Sequence, residues 1–475
     1  MNLKRGIWGK IKELFSIDVR SLAVLRIGLG LILIVDILSR ARDLRAHYSD
    51  FGVLPRGVLR FEYGHHLLNK SINAFNGSTW YWAILFFIGF VFALMLLLGF
   101  KSKTASIGAW FFILILHARN FLILQGGDDL FRMVLFWCMF LPLGEIWSVD
   151  WYFRKKNIRI GNVFSIGSAA LLIQIASVFI FSAIHKSEES WLYKGDAIYY
   201  ALSLDQFTTI LGKALLEFDS LLIFMSRFTY LLHFSAVFFL FFPYKNKWFR
   251  SIGAVLIACW FLGTDLIIKL WPFPFIGAIA MTAFIRGDIW GVWKVKEKRR
   301  KVGAIRIVCY VFCALCLIYV IVWNIGTIND DQSRLEGLFW FGDNLQLFQK
   351  WNMFSPVPLR EDGWYIIVGG LENGKEINLF GKGQGLDEGK EVNWEKPRSV
   401  SSTYKNERWR KYMMNLWLGE NKEFRDDYLY YICRDWNIDN KTKAKKVKMY
   451  FMLERTLERG LEQKVEKILL EEVVC

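Results

Sequence analysis

The chain alternates between long apolar runs and short polar segments. Most of the runs approach the roughly 20 residues that a helix needs to cross a bilayer, and on that criterion we count about nine candidate membrane helices. Their centres are Leu31, Phe90, Ile113, Phe136, Ile175, Phe234, Ala258, Ala278 and Cys313. The stretch after Arg250 is the hardest to delimit, because Asp265 and Lys269 interrupt it and Pro272 would break a helix. The pattern therefore predicts an all-α, polytopic membrane bundle.

The pattern changes after Trp323, where charged residues and turn signals replace the apolar runs. The stretch GWYIIVGGLENGKEINLF predicts a β-hairpin with Asn373-Gly374 at its turn. The stretch YFMLERTLERGLEQKVEKILLEEVV predicts an amphipathic helix. We therefore expect an amino-terminal segment (1–20), a transmembrane domain (21–325) and a water-exposed α+β domain (326–475).

Basic residues mark every second loop between the apolar runs. The basic loops are those around 4–20, 101–103, 154–159, 245–250 and 294–301, whereas the loop 187–220 is acidic on balance. Cytoplasmic loops of membrane proteins carry the excess of lysine and arginine. We therefore expect a multi-pass protein of the cell membrane, of the bacterial inner-membrane type, with a cytoplasmic amino terminus. An odd number of spans then places the 326–475 domain outside.

The composition of the chain indicates that its main partner is the lipid bilayer. Hydrophobic residues make up 54% of it and aromatic residues 17%, and the net charge is +16. The basic residues are spread over the loops rather than gathered with stacking aromatics, so we expect no nucleic-acid partner. The pair Cys313-x-x-Cys316 lies in an apolar run and predicts packing rather than chemistry. Residues 326–475 contain no histidine, which argues against a zinc site there, and we expect no metal.

Two pairs of opposite charge lie inside apolar runs. Asp128 and Arg132 are four residues apart, as are Asp265 and Lys269, so each pair can share one helical face. Ionisable residues at membrane depth are candidates for function because burying them is costly. They are either structural ion pairs near helix ends or the lining of a solvated cavity.

The dipeptide His185-Lys186 ends a long apolar run and is followed by an acidic turn and Trp191. One interpretation is an anchor at the membrane surface, with the lysine reaching water and the tryptophan at headgroup level. The other is a general base. It requires the stretch WLYKGDAIYYALS to fold back as a lid, which would lower the pKa of Lys186 from about 10.4 towards neutrality.

Three segments resemble one family when they are taken in order. LRIGLGLILIVDILSR with HYSDFGVLP is similar to its opening, and GGDDLFRMVLFWCMFLPLGEIWSVD to its central pair of helices. IQIASVFIFSAIHKSEESW resembles its lysine-bearing segment. Over Ser16–Arg286 the chain thus resembles the HTTM family, whose horizontally transferred transmembrane domain is shared with vitamin K-dependent gamma-carboxylase. The resemblance implies that Lys186 falls where the carboxylase has its proposed catalytic lysine, which deprotonates a reduced quinone.

Three functions follow as hypotheses. The first is a carboxylase-like enzyme in which the Lys186 base acts with a lipid-soluble, quinone-like cosubstrate on an unknown extracytoplasmic substrate, such as a secreted peptide or protein. His185 is expected to be catalytic together with Lys186, and the residues expected to support them are Asp128, Arg132, Trp191, Asp265 and Lys269. No residue is assigned to binding the cosubstrate. The alternative is a non-enzymatic membrane protein in the export or maturation of a secreted peptide. A soluble outer module on a large anchor is a third interpretation.

Overall fold

A computed structural model describes residues 2–63, 66–154, 161–244, 246–287, 289–290, 304–380, 389–458 and 464–475. The predicted basic clusters at 155–159 and 294–301 lie outside the described residues, as does Lys245.

The first part of the chain is helical apart from two short strands. Its helices are α1 (Asn2–Leu14), α2 (Val19–Ala41), α3 (Leu44–Tyr48), α4 (Arg56–Tyr63), α5 (Leu67–Lys70), α6 (Ile72–Phe75), α7 (Thr79–Leu98), α8 (Ser102–Arg119), α9 (Gly126–Cys138), α10 (Val149–Arg154) and α11 (Ile166–His185). Strands β1 (Ile17–Asp18) and β2 (Asn162–Val163) pair antiparallel.

The second part combines further helices with a sheet. The helices are α12 (Ala197–Ser203), α13 (Ile210–Leu215), α14 (Asp219–Phe241), α15 (Asn246–Ile267), α16 (Phe273–Met281), α17 (Ala304–Gly326), α18 (Phe339–Asn344), α19 (Glu407–Trp417) and α20 (Phe424–Asp439). The strands are β3 (Glu361–Leu371), β4 (Glu376–Asn378), β5 (Ala444–Arg455) and β6 (Val465–Val474).

Six helices in the described part of the chain are long and apolar enough to cross a membrane. They are Val19–Ala41, Thr79–Leu98, Ile166–His185, Asp219–Phe241, Trp248–Ile267 and Ile307–Gly326. The predicted total of about nine is therefore not confirmed. The other three expected helices form, but α9 and α16 are shorter than a bilayer crossing requires, and α8 carries charge at both of its ends.

The bundle has two ends, which we call the amino end and the domain end. At the amino end β1 pairs with β2, and Arg286 Nη1 lies 2.7 Å from Glu13 Oε1. At the domain end residues 326–475 pack against the helices, and the backbone N–H of Ser187 donates to Pro356 O at 2.8 Å. The shorter helix α8 ends here too, since Leu122 O, just beyond it, accepts from Asn415 Nδ2 of this domain at 2.6 Å. The amino terminus and the 326–475 domain thus lie at opposite ends.

A four-stranded antiparallel sheet in the order β4-β3-β5-β6 organises the 326–475 domain. The hairpin predicted at Asn373-Gly374 is confirmed: β3 and β4 flank it, and Gly374 has a φ of +80°, which glycine adopts without strain. Helix α20 packs on β5 and β6, and a disulfide joins Cys433 of α20 to Cys475.

The amphipathic helix predicted near the carboxyl terminus is wrong, because the stretch forms β5 and β6. Its many Leu, Glu and Lys residues favour a helix locally. The buried residues Val447, Met449, Phe451 and Leu453, however, recur at every second position, which is the period of a strand. Pairing with β3 on one side and β6 on the other overrides the local preference.

A segment that follows α18 enters the bundle, and we call residues 345–353 the inserted segment. Gln346 Nε2 donates to Leu114 O of α8 at 3.0 Å, and Phe348 O accepts from Arg132 of α9 at 2.8 Å. Gln349 exchanges amide hydrogen bonds with Gln174 of α11, the shorter at 2.6 Å. The inserted segment therefore ties residues 326–475, which we call the outer domain after the location predicted for it, to three helices of the bundle.

Candidate functional site

Lys186 is the residue that terminates α11 at the domain end. The helix begins with a capping box at Ser165 and Ser168, and its buried side is then apolar apart from Gln174, Ser177 and Ser182. The Lys186 ammonium donates to Ser182 Oγ at 2.6 Å and to Ser182 O at 3.2 Å. The residue is 6% exposed, so the nitrogen is held within the protein rather than in water.

The stretch after Lys186 folds back over it, as the lid interpretation requires. A single π-helical turn, Glu189–Tyr193, places the buried ring of Trp191 with its centroid 4.8 Å from Lys186 Nζ. Trp191 then packs with buried residues of α12 and with Leu222 of α14. We call 189–203 the cover. An interfacial anchor would leave the amine in water, so this geometry favours the alternative of a shielded amine.

Burial lowers the pKa of Lys186 to about 7. Taking an ammonium out of water disfavours its charged form, and only an opposite charge nearby would restore it. Within the described residues Lys186 forms no ion pair, since the neighbouring Glu189 binds Lys194 instead, at 2.7 Å. The Trp191 ring offers the ammonium partial compensation through its π face. Lys186 can therefore take up or release a proton near neutral pH.

His233 of α14 is a second polar group in this neighbourhood that sequence reasoning missed. Its ring is buried against Trp260 and Phe179, with centroid distances of 4.6 and 5.6 Å. It is close enough to Lys186 for the two charges to interact. Neither ring nitrogen has a hydrogen-bond partner among the described residues, and the same holds for the indole N–H of Trp191. A lone histidine in the run FTYLLHFSAVFF was the available signal.

His185 precedes Lys186 in the chain and is close enough to it for their charges to interact. Its Nε2 lies 3.2 Å from Thr327 Oγ1, at the end of α17. His185 thus contacts the end of α17 and, like His233, lies within electrostatic range of Lys186.

Asp128 and Arg132 do not pair with each other, contrary to the prediction from their spacing. Arg132 binds Asp129, one turn back, at 2.9 Å. Asp128 lies in a closed ring of charges with Arg40 at 2.6 Å and Arg408 at 2.5 Å. The second carboxylate of the ring, Asp36, is 2.7 Å from Arg40 and 2.8 Å from Arg408.

We call Asp36, Arg40, Asp128 and Arg408 the charge ring. Each carboxylate binds both guanidinium groups, so the ring is neutral as a whole. All four side chains are at most 4% exposed, so every charge depends on its partners. Because Arg408 belongs to α19 of the outer domain, the ring is an interdomain connection at the domain end rather than part of the Lys186 group.

Asp265 and Lys269 also lack the mutual ion pair that their spacing suggested, as far as the described residues go. Helix α15 ends at Ile267, so Asp265 lies in its last turn and Lys269 lies beyond it, and the two residues do not share a helical face. Lys269 Nζ instead lies 3.5 Å from Ser401 Oγ of the outer domain. Neither residue lies among the groups around Lys186. In the part of the chain that the structure describes, His, Cys, Asp and Glu side chains form no group of three able to hold a metal ion.

The positions of these groups can be compared with known proteins. The HTTM domain matches residues 15–290 of this chain, more than half of its length. The chain belongs to the HTTM family. The match contains Lys186, Trp191 and His233 and the cover, whereas Arg408 and the inserted segment lie beyond it. No curated protein and no solved structure shows a significant match to this HTTM protein. It is an integral membrane protein of that family, with several apolar helices in contact with lipid.

Proposed function

We propose that this HTTM protein is a membrane enzyme in which Lys186 acts as a general base on an acidic hydroxyl of a lipid-soluble cosubstrate. The observation that carries the proposal is a buried amine that has no ion-pair partner among the described residues. It lies against the Trp191 indole and within electrostatic range of the His233 imidazole, and the nitrogens of both rings have no hydrogen-bond partner in the described part of the chain. A purely structural lysine at a helix end would be exposed or paired.

The side chains around Lys186 have complementary roles in such a reaction. The neutral amine accepts a proton at Nζ, and the resulting ammonium is held by the two oxygens of Ser182 and by the Trp191 ring. The cover excludes water, which keeps the amine neutral near physiological pH. His233 and the Trp191 N–H hold the substrate oxygen in position, because both are within the same buried neighbourhood and have hydrogen-bonding capacity to spare.

A reduced quinone is the cosubstrate that fits these residues, in agreement with the resemblance to gamma-carboxylase. Such a molecule has polar hydroxyls on a flat apolar ring, which suits unpartnered nitrogen donors among aromatic walls. When bound, it would supply an acidic hydroxyl and two electrons. Ile180 and Ile184 of α11 are 41% and 43% exposed on the lipid-facing surface, so a lipid-borne molecule reaches this helix from the membrane.

The orientation that we propose places the domain end outside the cell and the amino end in the cytoplasm. The Cys433–Cys475 disulfide supports it, since such bonds persist in oxidising compartments. The basic amino-terminal helix α1 supports it as well. In this arrangement the shorter helices α8, α9 and α16 also run between the two ends, which gives nine proposed crossings within the described residues. The outer domain then presents a secreted peptide or protein to the membrane site.

The test uses the full chain in lipid nanodiscs with a reduced naphthoquinone, whose oxidation by dissolved oxygen is followed by absorbance. We expect wild type to accelerate the oxidation, and Lys186→Ala and Lys186→Arg to lose about 100-fold or more, the usual contribution of a general base. Arginine keeps the charge but cannot give up its proton, so it separates a base from a mere cation.

The matched control is Lys194→Ala, which removes an exposed lysine from the same cover. Full activity of Lys186→Ala would refute the base, and the absence of any acceleration by wild type would refute the cosubstrate. Peptide export into sealed vesicles that survives the loss of Lys186 would instead support the non-enzymatic alternative.

A further inference from the structure

The amino-terminal helix α1 lies across the ends of two membrane-crossing helices. The Trp8 ring packs edge-on against Phe164, which lies just before α11, with a centroid distance of 5.8 Å. Directly after α1, the Phe15 ring packs against Phe241, the last residue of α14, at 5.4 Å. Helices α11 and α14 are neighbours in the bundle, and both contacts are at the amino end. A helix that joins them runs crosswise to the bundle, so α1 lies parallel to the membrane surface.

Polar contacts fix the carboxyl end of α1 to the bundle. Arg250 Nη1 donates to Leu14 O at 2.9 Å, and Arg286 Nη1 lies 2.7 Å from Glu13 Oε1. The first membrane-crossing helix begins shortly afterwards, at Val19. The depth of α1 is therefore set by the ends of the membrane helices, at the boundary between membrane and water.

One face of α1 is apolar and only partly covered by protein. Ile7, Ile11 and Leu14 recur at the spacing that places side chains on one side of a helix, and Trp8 flanks them. Ile11 and Leu14 are half-buried against the bundle, whereas Ile7 is 55% and Trp8 61% exposed. The amino-terminal half of this face is thus open to the surroundings of the protein.

Exposed aromatic residues indicate what those surroundings are. Tyr152 and Phe153 of α10, and Tyr244 and Trp248 at the turn from α14 to α15, are exposed at the same end of the bundle. Tryptophan and tyrosine concentrate where a membrane meets water, because their rings are apolar and carry one polar group. Helix α1 contacts the end of α14 as well, so Trp8 lies at the level of the lipid headgroups.

The polar face of α1 carries uncompensated positive charge. Lys10 and Lys12 are exposed, and neither has a carboxylate partner among the described residues. The carboxylates described at this end are already paired with arginine: Glu13 with Arg286, Asp18 with Arg20, and Glu145 and Asp150 with Arg154. The sequence of α1 adds Lys4 and Arg5. This face therefore attracts anions.

We propose that α1 is an interfacial helix that binds anionic phospholipids in the leaflet at the amino end. Lys10 and Lys12 bind the headgroup phosphates, and Ile7 and Trp8 insert at the boundary with the acyl chains. Such helices combine buried apolar area with attraction to anionic lipids, to which each basic residue adds about fivefold in affinity. A soluble acidic partner would satisfy the charges but not the apolar side chains at this depth. The surface does not depend on the proposed role of Lys186, which lies at the domain end.

The first arm of the test titrates phosphatidylglycerol, and separately phosphatidylcholine, into the purified full chain in uncharged detergent. Native mass spectrometry counts the bound lipids. We expect Lys10→Gln/Lys12→Gln to weaken the tightest phosphatidylglycerol site at least about tenfold and to leave phosphatidylcholine binding unchanged. The control is Lys375→Gln/Lys422→Gln, which removes two charges from exposed positions of the outer domain. All four lysines are exposed, so both double variants keep the fold.

The second arm measures hydrogen–deuterium exchange of the α1 amides in the full chain, in nanodiscs of either lipid. In phosphatidylglycerol, wild type and the control should exchange at least about tenfold more slowly than in phosphatidylcholine, and Lys10→Gln/Lys12→Gln should lose this difference. Ile7→Ser/Trp8→Ser should exchange faster than wild type in both lipids, because the apolar contribution does not depend on headgroup charge.

Three outcomes overturn the proposal. The first is α1 exchange in wild type that is the same in both lipids. The second is an equal loss of phosphatidylglycerol binding in Lys10→Gln/Lys12→Gln and in the control, which would reflect net charge alone. The third is α1 exchange that Ile7→Ser/Trp8→Ser leaves unchanged, which would mean that the helix stays in water and presents its charges to a soluble acidic partner.

Discussion

Arg408 Nη2 lies 2.8 Å from Asp36 Oδ1, although 372 positions separate the two residues. Asp36 belongs to the first membrane-crossing helix and Arg408 to a helix of the outer domain. The same guanidinium reaches Asp128 on α9 through its other nitrogen. One arginine from outside the HTTM match thus completes a set of charges inside it, and the two domains share one buried electrostatic unit.

Replacing this arginine should strongly destabilise the protein. Arg408→Met leaves Asp36 and Asp128 with one cation between two carboxylates in a buried place, which costs about 3–5 kcal/mol. We expect equilibrium unfolding measured in mixed micelles to show this loss of stability. Arg455→Met is the matched control: Arg455 is 49% exposed and pairs with Glu466 at 2.7 Å, so we expect less than about 1 kcal/mol. Equal effects of the two substitutions would show that the charge ring contributes nothing special.

The inserted segment should be energetically coupled to α11 through one pair of amides. Gln349→Leu leaves the Gln174 amide without its partner and removes the acceptor of the Trp351 indole at 2.9 Å, so we expect a loss of about 1–3 kcal/mol. Gln174→Leu should cost a similar amount, because Trp137 Nε1 then also loses its acceptor.

The double variant measures the coupling directly. Both single substitutions break the same hydrogen bonds, so the double variant should lose less than the sum of the two by about 0.5–3 kcal/mol. Strictly additive losses in the free energy of unfolding would mean that the inserted segment and α11 do not depend on each other.

The disulfide predicts which cysteines can be alkylated before and after reduction. Alkylation of the unfolded protein without a reductant should modify Cys138, Cys259, Cys309, Cys313 and Cys316 and leave Cys433 and Cys475 unmodified, as peptide mass spectrometry can show. Reduction beforehand should expose all 7 cysteines. Cys475→Ser should cost about 2–5 kcal/mol. Modification of Cys433 without a reductant would contradict the proposed outer location of this domain.

The apolar runs predicted the helices well because a bilayer imposes a length and a composition that can be counted. The count of about nine crossings is not confirmed for the helices that protein rather than lipid surrounds. Helix α9 is one such case: Leu130, Met133 and Trp137 are fully or almost fully buried, and the helix has only 13 residues. Its buried surface is covered by neighbouring helices, so it needs neither the length nor the uniform apolarity of a lipid-exposed span.

The spacing of residues in the sequence could not predict contacts between residues that are far apart in the chain. The spacing of Asp128 and Arg132 indicated a local pair, but the nearer Asp129 and the distant Arg408 are the actual partners. The shielding of Lys186 was foreseen as a condition of its chemistry because the cover follows it directly. His233 was missed because nothing in sequence places α14 beside the end of α11. The pairing of Cys433 with Cys475 could have been suspected, since both lie outside the apolar runs.

The last prediction concerns the pH dependence of stability that Lys186 creates. Burial holds the pKa of its amine at about 7 in the folded protein, against about 10.4 in the unfolded chain. Below pH 7 the amine is charged in both states, and the folded state bears the full cost of burying that charge. Between pH 7 and about 10 the unfolded chain binds one proton more than the folded protein, so stability rises with pH.

The measurement is the free energy of unfolding in mixed micelles at pH 6, 7, 8 and 9. Between pH 7 and pH 9 the free energy of unfolding of the wild type should rise by about 2–3 kcal/mol relative to that of Lys186→Met, which lacks the titrating amine. The stability of Lys186→Met relative to wild type should therefore be greatest at pH 6, the lowest pH measured. Lys194→Met, which alters an exposed lysine of the cover, should follow the wild-type curve. Parallel curves for wild type and Lys186→Met would mean that Lys186 keeps an ordinary proton affinity, and a base at this position would then lose its physical foundation.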